Sequence, residues 1–559
     1  MRRILCVLLA SAALTAGFDG LHAAVRLRGL KDLNRFPDAV APDAIRAACA
    51  DTSEELHALF RARGLRLEPG LIQTVAGELC HIFYEPTVPG FRASPDDDPI
   101  EELHVSVDPL SFVVRRKPIG DSLDQAKMVL GRLPRPAKVR LTVSGGFSAS
   151  ELDAAREFHF AGSSHEILVR PLGGDAAHPW AQDHFKSGSS PSGARVLVPR
   201  RLFEGRRQDG PLFQPMLDQM DGAGYVRSKL SWEGGDLQFV RRPSDPSKLI
   251  LFFGRAAIDY WGGALTREEF AWVLRTEFGA DESFDLSGFG PHADFLVAFL
   301  PRAGTVLLAE PVGADPDLVR AAALALRDVF GKRAPPTLRR LAAFLADWDG
   351  AEFDDPNRVL TVLELLEREL PSLEPAIDPS LAAALDEYER EHCPSDPDGC
   401  FLNEGKIRMQ AVDPELLRSA SDASANYALE QAITPKLIEL IRSHLPGASA
   451  WRADDFAATA ERLEELGFRV IRVPYLTTPT RKDGWAGVSY VNSLLVEQRL
   501  FVPLLGLGEY EERVLAQLRL RLTRDYEVIG VPARSGLVHN GGVHCVFGIV
   551  RRVGSSAGS

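Results

Sequence analysis

Cys545 is the residue of this chain best placed to do chemistry. It lies in Val538-His539-Asn540-Gly541-Gly542-Val543-His544-Cys545-Val546-Phe547-Gly548-Ile549-Val550, where one Asn and two glycines lead into an apolar run. The pattern predicts a turn followed by a strand, and glycines at a strand entrance let a ligand come close to the backbone. A thiolate is the strongest common side-chain nucleophile, so covalent catalysis is the chemistry on offer. The bland alternative is a buried structural thiol. Strand alternation would turn His544 away from any pocket, and no catalytic role is expected of it.

Three further motifs carry ionisable groups. They are Pro179-Trp180-Ala181-Gln182-Asp183-His184-Phe185, Ser231-Trp232-Glu233-Gly234-Gly235-Asp236-Leu237-Gln238-Phe239 and His292-Ala293-Asp294-Phe295-Leu296-Val297-Ala298-Phe299-Leu300-Pro301. If His292–Leu300 is a strand, His292 and Asp294 share a face, about 7 Å apart along the pleat. Two ionisable groups at the start of an apolar strand must face a cleft or pair with each other. The Glu233–Asp236 segment either puts a carboxylate into the site or forms a hairpin entrance.

The elements that must position these groups recur. Three stretches share a layout of paired apolar strands, a helix and a further strand. In the last, strands at Tyr490–Val496 and Arg499–Leu505 precede a helix at Glu509–Thr523 and a strand at Tyr526–Pro532. In the middle one, strands at Asp236–Arg241 and Lys248–Phe253 precede a helix at Arg267–Phe278 and the His292–Leu300 strand. The first offers a strand at Lys138–Val143, a Ser-capped helix near Ser150–Phe158 and a strand at Glu166–Arg170. Such spacing predicts a radial α/β array. Residues 313–400 read as a mostly helical insertion. Residues 25–98 read as a separate N-terminal segment, with a helix at Ser53–Arg63 and a Pro-Asp-rich linker at its end.

At 559 residues the chain exceeds one ordinary core. Its net charge of −13 argues against a nucleic-acid binder and against attraction to anionic membranes. Arg2-Arg3, an apolar run and small residues after it predict a signal peptide over residues 1–24 and export to the periplasm or beyond. No later run is long enough to cross a bilayer as a helix, so no integral membrane segment is expected. Apart from Cys6 and Cys545, Cys49, Cys80, Cys393 and Cys400 have three possible disulfide connectivities. A metal site at His392, Cys393 and Cys400 lacks a fourth ligand at the usual spacing.

The order Trp-x-x-Asp, Glu-Gly-Gly-Asp, His-x-Asp and terminal Gly-Gly-x-His-Cys resembles the guanidino-group-modifying pentein superfamily. Within it the chain looks most like the catalytic domain of the protein-arginine deiminases. Trp180-Ala181-Gln182-Asp183, the His292–Pro301 run, Tyr490-Val491-Asn492-Ser493-Leu494-Leu495-Val496 and Val543-His544-Cys545 carry the likeness. The resemblance implies an α/β, fivefold β/α propeller catalytic domain over residues 99–555. It implies that Cys545 attacks a guanidinium carbon and that His292 shuttles protons. Asp183 and Asp294 would hold the guanidinium nitrogens, Trp180 would pack on the substrate stem, and Glu233 and Asp236 are further candidates for substrate binding. The substrate would be an arginine side chain in a protein or peptide. Agmatine or free arginine, an amidinotransferase reaction, and a non-catalytic arginine-binding protein are the alternatives. A planar guanidinium with five donors suits flanking carboxylates, whereas acidic groups beside a thiol do not serve acyl transfer by a cysteine protease.

One departure matters. Where the calcium-dependent animal members carry acidic residues after Trp-x-Gln-Asp and after the Gly-Gly turn, this chain has His184, Lys186 and Gln238. Calcium prefers oxygen donors, which a lysine lacks. No cofactor is therefore expected.

Overall fold

The computed structural model describes residues 86–551 apart from 108–111, 114–121, 145–146, 173–180, 200–223, 229, 231, 257–266, 290–291, 301–303, most of 331–435, 447–452, 477–486, 523–524 and 539–540. The expectations for residues 1–24, the Ser53–Arg63 helix, Trp180, the cysteines other than Cys545, and most of the 313–400 insertion fall outside the described residues.

The described strands form five sheets within a mixed α/β fold. Each contains the same unit: a first strand antiparallel to a second, and the second parallel to a third. In chain order of the first strands, the units begin as follows. Lys186–Ser190 pairs with Gly193–Val198, which pairs with Gly224–Arg227. Leu237–Arg242 pairs with Asp245–Phe253, which pairs with Glu282–Asp285. Val297–Leu300 pairs with Thr305–Pro311, which pairs with Arg469–Leu476. Leu494–Val496 pairs with Arg499–Leu504, which pairs with Glu527–Pro532. Phe547–Arg551, near the end of the chain, pairs with Ile100–Val107, which pairs with Lys138–Ser144.

Parallel neighbours need a crossover, and helices supply it. Arg267–Phe278, Glu509–Leu522 and Ser122–Leu130 each follow a second strand and precede its parallel partner. Ala149–Phe160 adds a further crossover, to the strand Glu166–Leu172. Its N-cap is Ser148, which forms a reciprocal capping box with Glu151 and satisfies end amides that the helix cannot. The C-terminal half of the second strand Asp245–Phe253 is apolar because both of its faces are covered: Leu249 to Phe253 are all buried.

Of the three expected stretches, the last is such a unit and the middle one is for its first two strands, whereas Lys138–Ser144, its helix and Glu166–Leu172 form a parallel strand–helix–strand that extends the sheet of Phe547–Arg551. The Val297–Leu300 unit is hard to see because its second and third strands flank the long interval from Pro311 to Arg469. The middle unit also needs a correction. Its third strand is Glu282–Asp285, and the His292 run instead opens the next sheet.

Each first strand is entered through one tight turn. These turns are Ala181–His184, Gly234–Asp236, Ala293–Phe295, the bend through Tyr490–Ser493, and Val543–Val546. Expected strands at His292 and Cys545 thus give way to helical turns that precede the strands. Neighbouring turns touch, the Ala181–His184 turn meeting both the Val543–Val546 turn and the Gly234–Asp236 turn, and the latter meeting Ala293–Phe295.

The Pro-Asp-rich stretch does not act as an exposed spacer. Asp96 N donates to the Phe239 carbonyl at 2.7 Å and its Oδ2 accepts from Phe239 N at 3.1 Å. Asp97 and Asp98 hold Arg241 at 2.8 and 2.7 Å. Among the described residues no helix is long and apolar enough to cross a membrane.

Candidate active site

The turns bring the ionisable groups together because two glycines allow them to. A Cβ on Gly234 would strike the Gln182 carbonyl, so only glycine lets the Gly234–Asp236 turn lie against the Ala181–His184 turn. Next to it, Gly235 N donates to Asp183 Oδ1 at 2.7 Å. The Glu-Gly-Gly-Asp motif is therefore a close-approach element that also delivers Glu233.

His292 stands at the centre. Its Nε2 meets Glu233 Oε2 at 2.5 Å, and its Nδ1 lies 4.0 Å from both Asp183 Oδ1 and Asp294 Oδ1. Burial alone would lower the imidazole pKa. Asp183, the Cys545 thiol and Glu233 outweigh it and raise the pKa well above the ordinary value. Asp294 shows the converse balance. Burial would raise its pKa, but the hydrogen bond from His544 and the neighbouring His292 hold it below the ordinary value.

Cys545 carries a free, buried thiol. Sγ donates to Asp294 Oδ2 at 3.3 Å and accepts from Asn492 Nδ2 at 3.2 Å. Burial, with the charge of Asp294 added to it, pushes the thiol pKa far up, against a smaller lowering influence from His292. In the free protein at neutral pH this pair is therefore thiol and imidazolium.

Two residues of the site were missed. His544 was expected to face away, on the premise of a strand. The backbone is instead one helical turn at Val543–Val546, and His544 Nδ1 reaches Asp294 Oδ2 at 2.8 Å. Asn492 was seen only as part of a hairpin. Its Oδ1 accepts from Gly542 N at 2.9 Å and from Cys545 N at 3.4 Å, while its Nδ2 touches the thiol. The available signal was an amide at a turn between buried apolar residues, a place where its donors and acceptor must be used.

The contacts thus unite Cys545, His292, Asp294, Asp183 and Glu233. Asp236 is buried in the same turn as Gly235, and its amide donates to the Glu233 carbonyl at 3.1 Å. Trp180 lies outside the described residues. His184, Lys186 and Gln238 are all buried. With its amide oriented to its neighbours, Gln182 accepts from Lys186 Nζ at 2.8 Å and donates to the Phe547 carbonyl. Gln238 Nε2 donates to the Val297 carbonyl at 3.0 Å. Asp183, Glu233 and His292 each present one ligand atom, all within 4.8 Å of one another, a spacing at which a metal ion could be held.

Residues 448–547 match the Porphyromonas-type peptidyl-arginine deiminase family. This is the kind of deiminase that the motif order resembles, and the matched stretch contains Asn492, His544 and Cys545. Among solved structures, the chain is similar to agmatine deiminase of C. jejuni, at 12% identity over 83% of this chain and 96% of that one, with a TM-score of 0.44. It is also similar to agmatine deiminase of Enterococcus faecalis, at 12% identity over 84% of this chain and 98% of that one, with a TM-score of 0.42. No curated protein matches the chain.

Proposed function

We propose that the chain is a hydrolytic deiminase that converts the guanidino group of arginine side chains in proteins or peptides to citrulline and releases ammonia. What carries this reading is a buried thiol, an imidazole and several carboxylates in one contact set. Carboxylates either side of a thiol are unsuited to acyl transfer, but they bind a planar cation through paired, charge-assisted hydrogen bonds. The family match over residues 448–547 supports a peptidyl substrate.

In the proposed sequence Asp183 and Asp294 orient the guanidinium, and Trp180, Glu233 and Asp236 complete its surroundings. The bound cation lowers the pKa of Cys545, and because His292 already carries its proton the thiol proton passes to solvent as the substrate seats. The thiolate sulfur bonds to the guanidinium carbon, giving a tetrahedral adduct. His292, held by Glu233, gives its proton to one nitrogen, the C–N bond breaks, and ammonia leaves a thiouronium on Cys545. His292 then takes a proton from water as the oxygen bonds to the same carbon. The C–S bond breaks and the hydroxyl proton passes to the departing sulfur, freeing the ureido product and restoring the Cys545 thiol.

We further propose a fivefold β/α propeller arrangement for residues 99–555, with residues 313–400 as an insertion; the segment expected at 25–98 is not separate over its last part, since Arg92–Ala93 pairs with Lys186–Ser190 and Val88 and Phe91 are buried. The five sheets of one repeated unit support the propeller. The reaction is read as independent of metal. Lys186 offers no oxygen donor at a position where the calcium-dependent members carry an acidic residue. Turnover should therefore be unchanged after treatment with EGTA. Loss on chelation with recovery in calcium would refute this.

Export of the chain is proposed from Arg2-Arg3 and the apolar run that follows them. The mature protein should then begin between about residues 17 and 26 by N-terminal sequencing. An intact Met1 terminus on the mature protein would contradict it.

The deciding assay measures ureido product from a peptide-blocked arginine, free arginine and agmatine in parallel. The proposal expects the blocked arginine to be the best substrate. Preference for agmatine or free arginine would move the reading to a small-molecule deiminase, and no product from any of them would end it.

A further inference from the structure

We propose that His544 is a positioning residue that fixes Asp294 so that one carboxylate oxygen faces the guanidinium; this rests on the deiminase reading above. The two oxygens of Asp294 have different surroundings. Oδ2 takes His544 Nδ1 at 2.8 Å and the Cys545 thiol at 3.3 Å. Oδ1 accepts no hydrogen bond from the described residues and lies 4.0 Å from His292 Nδ1. A buried carboxylate oxygen without a donor is costly, and a substrate N–H would satisfy it. An ionised carboxylate can only accept, so the hydrogen of that contact sits on His544 Nδ1.

The need for such a restraint comes from a cavity that adjoins Asp294 and His544. Its volume is about 20 Å³, and Asp96, Gln238, Ser493 and Arg551 are among its other borders. That is room for about one water. Arg551 is a buried guanidinium of the protein itself, donating to the Asp98 carbonyl at 2.7 Å and 3.9 Å from Asp96. An Asp294 freed from His544 has a water-sized space to turn into and a competing cation across it. His544 blocks that turn and pins Oδ2, which leaves Oδ1 aimed at the substrate. The thiol alone is a weak tether, because S–H is a poor donor.

The test compares His544→Ala, His544→Asn and His544→Gln in the full-length protein. The asparagine amide nitrogen falls near the position of Nδ1, whereas that of glutamine falls near Nε2. With blocked arginine, His544→Ala and His544→Gln should raise KM by roughly 30-fold or more, a loss expected when a positioned binding group is set free. His544→Asn should restore KM to within a few-fold of the parent. A role confined to stability would not separate Asn from Gln in this way. Equal behaviour of the two amides, or an unchanged KM in His544→Ala, would overturn the proposal.

A second readout needs no turnover. Iodoacetamide alkylation of Cys545 at neutral pH should quicken in His544→Ala, because the anion that holds the thiol proton turns away, and stay near the parent rate in His544→Asn. Alkylation unmoved by all three changes would overturn the positioning role. If the parent makes no product from any guanidino compound, the deiminase reading fails instead, and alkylation still reports on Asp294.

Discussion

Asp294→Asn, and separately Asp183→Asn, should cut turnover of a guanidino substrate by roughly two orders of magnitude or more while speeding alkylation of Cys545. Each change removes one negative charge and keeps the size of the side chain. Loss of a buried partner for a cation is worth about 3 kcal/mol or more, and each tenfold in rate corresponds to about 1.4 kcal/mol. The thiol moves the other way. Burial first, then the charges of Asp294 and Asp183, raise the Cys545 pKa. With one anion gone that pKa falls, so more thiolate exists at neutral pH and iodoacetamide reacts faster. The parent should react slowly at neutral pH and faster as the pH climbs, because its thiol ionises only above the ordinary range. An Asn variant with near-parental turnover would remove that aspartate from the site.

Gly235→Ala should cost a comparable factor through volume alone. A Cβ at this position would stand 2.8 Å from Asp183 Oδ1, 2.9 Å from His292 Nδ1 and 3.1 Å from Asp294 Oδ2. The methyl group would thus press on the three groups proposed to act on the substrate. Real Cβ atoms do not tolerate such distances, so at least one of the three must move. Misplacement on the order of 1 Å can cost about a hundredfold in rate. The variant should stay folded, since side chains rather than backbone atoms are what it meets; circular dichroism and the steady-state rate together check this. Parental kinetics in a folded Gly235→Ala protein would show that the space between Asp183, His292 and Asp294 is not where chemistry occurs.

Cys545, His292, Asp294 and Asp183 were singled out through the order of their motifs and its resemblance to the protein-arginine deiminases, since each motif alone also suits a structural role. Their backbone was not. Short apolar runs such as Val297–Leu300 and Phe547–Val550 carry a strand signal that spills backwards over the turn before them, and a single helical turn has too few residues to show its own period. His544 was set aside for that reason, since alternation holds in a strand but not in the Val543–Val546 turn. Asn492 lacks a charge that would announce it, although its amide holds both the thiol and the Gly542 backbone. Gly234 and Gly235 read as turn-formers, while their use is close contact with the neighbouring turn and with the site. The repeat was partly visible where helix and strands are contiguous, as in Glu509–Leu522 and its neighbours. It was hidden where the unit joins distant parts of the chain, as when Phe547–Arg551 pairs with Ile100–Val107.

The central claim is that Cys545 becomes covalently bound to the substrate carbon. Acid quenching during turnover of blocked arginine, followed by peptide mapping by mass spectrometry, tests it most directly, with Cys545→Ser run alongside. The expected result is an adduct on the Cys545 peptide with the mass of the substrate less one ammonia, and no ureido product from Cys545→Ser. Continued product formation by Cys545→Ser, or an adduct on a different residue, would contradict it.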